Sequence, residues 1–321
     1  MSTHTDNIVS LPTRKRADHR LVQRTLKSNI HCTGTGLHSG RKVSLTLVPA
    51  APDTGIEFVR TDLEGGFAVI PARWDHVVDT RLCTVIGNED GASIGTVEHL
   101  MAALAGCGID NVRVMIDGPE VPIMDGSAEP FVFLIECAGI ETQSAPRKQL
   151  KILKEVSVHL DGAHATLSPS EKTIFSFDIE FDSHVIGRQD YELPMGDGAF
   201  KSHLARARTF GFLHDVNHLQ ANGLALGGSL DNAVVISGDR ILNETGLRFA
   251  NEFVRHKLLD SIGDLFLTGT HIIGRFHGSR SGHTINNQLL HALYADPSAW
   301  RLVDDGNVEA IHPSSAIRAT A

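Results

Sequence analysis

The 321-residue chain has few cysteines, no long apolar run and no surplus of basic charge, and each shortage closes off a class of protein. Cys32, Cys83, Cys107 and Cys137 are scattered without CxxC spacing. That pattern favours reduced thiols in a cytoplasmic protein over a disulfide framework. The longest apolar stretch, around "FVFLIECAGI", falls well short of the roughly 20 residues that a membrane span needs. A soluble protein is expected, with transient contact with a membrane surface left open. A formal net charge of -9 at pH 7 argues against nucleic acid as a partner, because binding a phosphate backbone needs a concentrated basic face. Several catalytic signatures are also missing. There is no GxSxG, no HExxH and no cysteine beside a persuasive base, and glycine-rich "CTGTGLHSGRK" fails both GxxxxGK[ST] and the dinucleotide fingerprint.

What is present is enough apolar residue, 41% of the chain, to bury sizeable cores, and the length suits two domains better than one. Residues 1–20 have a basic cluster at Arg14, Lys15 and Arg16 but no apolar signal segment, and read as a flexible extension. "KVSLTLVPA" alternates like a strand. "SIGTVEHLMAALAGCG" reads as a helix with Thr96 as N-cap and Gly106 as stop, and "EPFVFLIECAG" as a second helix. "TQSAPRKQ" is polar and contains proline, which places a linker at residues 144–149 between domain I (21–143) and domain II (150–321). Strands resume after it. An amphipathic helix, "RFANEFVRHKLLDSIGDLF", then leads to a strand at Thr270–Phe276 and a last helix, "HTINNQLLHALYA". Each half thus runs strands, helix, strand, helix. The expected class is α+β: two similar domains, each a sheet packed with two helices, with the active site at their interface.

On the amphipathic helix, His256, Asp260 and Asp264 share one side while Val254, Leu258, Ile262 and Leu265 cover the other. His256 and Asp260, at i and i+4, can hold one ion together, although an isolated HxxxD is more often an exposed pair worth little. The other half offers His99 and Glu98 at a helix start. A His, His, Asp set matches zinc in a hydrolase, where three protein ligands leave a fourth position open. Glu98, one helical step round, is then placed as a general base. The plainer reading of Glu98 is a carboxylate that satisfies the helix dipole. His283 in "SGHTINN" is either a helix-start packing residue or, with Asp264 as partner, an oriented and charged imidazole. Thr209 in "RARTFGF" can donate a hydrogen bond to an oxyanion, but a threonine there is usually structural.

"TVEHLMAALAG", "IMDGSAEPF", "ARTFGF", "GLALGGSLDNAVV", "RFANEFVRHKLLDSIGDL" and "SGHTINN" resemble, in order and spacing, the UDP-3-O-acyl-N-acetylglucosamine deacetylases, zinc amidases of lipid A synthesis. The resemblance spans roughly Leu21 to Trp300 and is loosest from Val156 to Phe200. It implies zinc on His99, His256 and Asp260, Glu98 as base, and His283 with Asp264 as the charged or proton-donating partner. Thr209 would help hold the oxyanion. The resemblance further implies that Lys257 and Phe210 contact the sugar or diphosphate and that Phe181 packs near the uridine. His38, in "GLHSG", becomes a polar contact in the same cleft. An insert around residues 211–232 becomes an apolar passage for the acyl chain of a small-molecule acylated UDP-amino sugar, and a monomer is expected.

Overall fold

A computed structural model describes residues 21–63, 66–196 and 198–304, so the expected N-terminal extension lies outside the described residues. Two five-stranded sheets carry the fold on one plan. In the first, the strand order is Ile30–Thr35, Lys42–Pro49, Val112–Ile116, Ile56–Arg60 and Ala68–Pro71. In the second it is Val156–Leu160, Ala163–Ser168, Arg275–Ser279, Ile174–Glu180 and Arg188–Pro194. In both, the third and fourth strands are parallel and all other neighbours antiparallel. A parallel pair requires a crossover connection, and in each half that connection includes a central helix.

The helices are α1 (Glu98–Cys107), α2 (Glu129–Ala138), α3 (Ala199–His203), α4 (Leu213–Ala221), α5 (Glu252–Phe266) and α6 (His283–Ala295). α1 packs along α5 at the centre, with α2 beside α1 and α6 beside α5. The molecule is therefore α+β, built from two similar units of a sheet and two helices. α1 and α5 approach closely at Gly263, where any Cβ would overlap the backbone of Glu98. Only glycine permits that approach. Each half also carries a small three-stranded sheet, Val77–Asp79, Val85–Gly87 and Ser93–Ile94 in the first, and Phe210–Phe212, Val234–Ser237 and Arg240–Ile241 in the second.

Several local expectations change. Thr96 is not the N-cap of α1: Val97 is, while Thr96 adopts φ 56° and its hydroxyl donates to Glu120 Oε1 at 2.9 Å. Gly106 does not stop α1. The helix runs on to Cys107 and is capped by Gly108 at φ 69°, and Gly106 instead gives room to the Phe200 ring. α5 begins at Glu252, and it has no wet side, because His256, Asp260 and Asp264 are buried with almost all its other residues. α1, α6 and two strands of the second sheet surround it. The segment read as a linker is ordered sheet. Ile140–Pro146 pairs with Val22–Leu26, and Lys148–Ile152 pairs with His271–Ile273 and Trp300–Asp304. Its polarity reflects exposed strand faces and side-chain bonding: Gln143 donates to the Ala50 carbonyl at 2.8 Å and accepts from Asn111 at 2.7 Å. The strand at Thr270–Phe276 is two strands, His271–Ile273 and Arg275–Ser279, belonging to different sheets.

Candidate metal centre

The start of α1 and the middle of α5 meet at the interface of the two halves. One potential ligand atom each from His99, His256 and Asp260 lies within 4.8 Å of the others, and all three residues are buried. The two imidazoles stand 5.0 Å apart, nearly perpendicular. Asp260 Oδ1 is 3.2 Å from His256 Nε2 and 3.4 Å from His99 Nε2. Buried polar atoms are normally paired, yet Asp260 Oδ1 has no hydrogen-bond partner in good geometry among the described residues. Such an oxygen costs free energy unless a cation or donor satisfies it. The set of two imidazoles and one carboxylate, with unspent lone pairs converging, suits a zinc-like divalent ion.

The ligands are held from behind. His256 Nδ1 faces the Ala207 carbonyl at 3.0 Å, so that nitrogen carries the proton and Nε2 is free for the cluster. Burial pushes the His256 pKa down to about 4 despite the pull of Asp260, which keeps the ring neutral. Asp260 is held well below its usual range: burial opposes its charge, but His256, Lys257 and His99 outweigh it. Lys257 donates to Asp260 Oδ2 at 3.1 Å.

A second array lies beside the first. Glu98 is buried, which raises its pKa, with His283 partly offsetting the rise. Its Oε1 stands 3.9 Å from His283 Nε2. His283 is the first residue of α6, where the helix dipole disfavours positive charge, and burial disfavours it further. The carboxylates of Asp264 and Glu98 nonetheless lift its pKa to about 9. His283 Nδ1 bonds Asp264 Oδ2 at 2.9 Å, and Asn286 Nδ2 donates to that same oxygen at 2.8 Å.

The remaining candidates sit around this pair of arrays. Thr209 lies two residues beyond the Ala207 carbonyl, half-buried, with its backbone fixed to Gly126 and Val234 at 2.8 Å each. The Phe210 ring is 6.4 Å from His256, and Phe181 is 5.9 Å from Phe210. Phe181 and Phe212 continue outward into a cleft of about 590 Å³ shared with His184 and His214. The His38 ring nitrogens are buried without hydrogen-bond partners. Burial lowers the His38 pKa, Glu120 opposes the shift and the charge of His283 adds to it.

Sequence reasoning missed the supports. Glu120 receives the backbone N–H groups of His38 and Ser39, both at 2.9 Å, besides the Thr96 hydroxyl. Glu252, fully buried, binds Arg208 at 2.8 Å and so anchors the segment carrying Ala207 and Thr209 to the start of α5. An acidic residue in the first turn of a helix gave a hint of Glu252; nothing local marked Glu120 or Asn286.

Comparison with known proteins identifies the family. Residues 23–295 match the family model described as "LpxC: UDP-3-O-acyl N-acetylglycosamine deacetylase". Proteins named UDP-3-O-acyl-N-acetylglucosamine deacetylase are similar over most of their length. That of Acidithiobacillus ferrooxidans is 55% identical over 88% of this chain and 93% of its own. That of Haemophilus influenzae is 52% identical over the same shares, and that of Phenylobacterium zucineum 51% over 88% of this chain and 96% of its own. The chain belongs to the UDP-3-O-acyl-N-acetylglucosamine deacetylase family.

Proposed function

We propose that the chain hydrolyses the acetamide of a UDP-3-O-[(R)-3-hydroxyacyl]-N-acetylglucosamine to acetate and the free amine, the committed step of lipid A synthesis. One observation carries the reading: three convergent ligand residues stand beside a buried carboxylate and a charged imidazole at the interface of the two halves. His99, His256 and Asp260 would hold zinc, which when bound supplies Lewis acidity and lowers the pKa of a water from about 15.7 toward 7. Glu98 accepts the proton of the attacking water, a contribution of about 10²- to 10⁴-fold, or roughly 3 to 5 kcal/mol. Its burial raises its basicity for that task. His283, kept charged by Asp264, opposes the negative charge that develops on the acetamide oxygen and delivers a proton to the departing nitrogen. Thr209 donates to the same oxygen.

Substrate recognition follows from the surroundings. Phe210 and Lys257 border the metal cluster and serve the sugar or diphosphate, Phe181 packs near the uridine, and His38 presents free ring nitrogens to the cleft. In the insert around residues 211–232, Leu224, Leu226 and Leu230 are exposed, which suits a passage for an acyl chain. The test compares acetate release from acylated and non-acylated UDP-N-acetylglucosamine by the zinc-loaded protein and by Glu98→Gln. The acylated substrate should be strongly preferred, and Glu98→Gln should lose about 10²- to 10⁴-fold in kcat while retaining zinc. Equal turnover of the two substrates would overturn the acyl-sugar reading, and native turnover by Glu98→Gln the base assignment.

A further inference from the structure

Thr84 has no part in the reaction as described so far, yet it bonds two carboxylates of the array beside the metal cluster, one from each half. It lies just before the strand Val85–Gly87 and is 2% exposed. Its carbonyl accepts the N–H of Val97, the cap of α1, at 3.3 Å. Its own N–H donates to Glu98 Oε2 at 3.1 Å. Its hydroxyl donates across the interface to Asp264 Oδ1 at 2.6 Å, on α5. One residue thus fixes the carboxylate expected to act as base and the carboxylate that orients His283.

The need for such a tie follows from charge. Glu98 Oε1 and His283 Nε2 are 3.9 Å apart, too far for a hydrogen bond. In a buried site, a carboxylate and an imidazolium left free would close on each other. That collapse would spend the lone pair that must take a proton and the proton that must be given away. Each partner is therefore pinned from its far side. Glu98 is held through Oε2 by the Thr84 N–H, and His283 through Nδ1 by Asp264. Both oxygens of Asp264 are in turn engaged: Thr84 bonds Oδ1, while His283 and Asn286 bond Oδ2.

We propose that Thr84 is a positioning residue for deacetylation, setting the gap between the Glu98 carboxylate and the His283 imidazole by its bonds to Glu98 and Asp264. The proposal rests on the deacetylase reading with Glu98 as base. Thr84→Val keeps the shape and the backbone bonds but removes the hydroxyl, Thr84→Ser keeps the hydroxyl, and Thr84→Ala lacks it in a smaller side chain.

In the zinc-loaded protein, Thr84→Val should lower kcat by about 10- to 100-fold, the scale expected of a small misplacement of reacting groups. KM for the acylated substrate and zinc content should stay near native. Thr84→Ser should restore kcat to within about threefold, since only the hydroxyl is invoked. The low-field proton resonance of His283 Nδ1 should move or broaden in Thr84→Val and be retained in Thr84→Ser. A purely structural role would lower the melting temperature without moving kcat per folded, zinc-loaded molecule or that resonance. Native kcat and an unmoved resonance in Thr84→Val would overturn the proposal. If Thr84→Val folds poorly, a Thr84→Ser enzyme no more active than Thr84→Ala, both zinc-loaded, would overturn it equally. Failure of the base assignment is separate: Glu98→Gln would then remain active, while the His283 resonance in Thr84→Val would still report whether Thr84 positions the pair.

Discussion

α1 and α5 hold corresponding places, each within the crossover that leads to the central strand of its own sheet, yet they are loaded differently. α1 concentrates its chemistry in the first turn, at Glu98 and His99, and is buried and apolar from Leu100 to Leu104. α5 spreads His256, Asp260 and Asp264 over two turns with buried apolar residues between them. The sheets around them keep the same strand order and the same directions. Strand pairing and apolar burial therefore suffice to specify the shared plan, and each helix can diverge on the stripe that meets its partner. Neither half holds a complete site. The first brings the proposed base and one candidate ligand, the second two candidate ligands and the carboxylate bonded to His283.

Removing a ligand from either side tests that division most severely. His99→Ala and His256→Ala should each lose zinc and nearly all deacetylation, measured by metal analysis beside acetate release. Retention of stoichiometric zinc by either variant would break the claim that the site needs a ligand from each helix. Next in size is the contact between them. Gly263→Ala places a methyl against the Glu98 backbone, and overpacking of that kind costs about 1–3 kcal/mol. Thermal unfolding should show a lower midpoint, and kcat should fall with it because Glu98 is displaced; an unchanged midpoint would mean that the helices can part freely.

The smallest effect concerns pH and centres on His283 of the second half, with Glu98 of the first contributing. His283 is raised from 6.5 to about 9, so its charged form persists through neutrality and is lost as pH rises through about 9. Deacetylation should fall on that alkaline limb by about tenfold per pH unit. The stability that this charge contributes is fully present below 6.5 and disappears over the same rise. Asp264→Asn removes the main support for the charge, and should move the limb to lower pH in a plot of kcat against pH. A limb that stayed in place would assign it to another group.

Much of this was legible in the sequence. The i, i+4 pair on α5, the histidine at the start of α1 and the similar order of elements in each half led to a three-ligand set at an interface, and the structure brings those residues together. Other features were hidden for physical reasons. The hydroxyl of Thr84 meets Asp264 only because two distant segments fold together, and no local spacing encodes that contact. Thr96 looked like a cap by residue type, but a buried carboxylate competed for its hydroxyl and its backbone became left-handed. The polar stretch at residues 144–149 looked like a linker because exposed strand residues and loop residues share a composition. The apolar stripe on α5 suggested a solvent-facing side, where a second helix in fact covers the acidic residues.

The close crossing at Gly263 also bears on the order in which the chain acquires its final form. Local contacts form before those between segments far apart in sequence, because closing a long loop costs entropy. α1 and α2 can pack together while the chain is still being made, but the face of α1 that carries Glu98 and His99 stays uncovered until α5 arrives. On the proposed reading, metal binding is accordingly a late event in maturation, because two of the three candidate ligands, His256 and Asp260, arrive with α5.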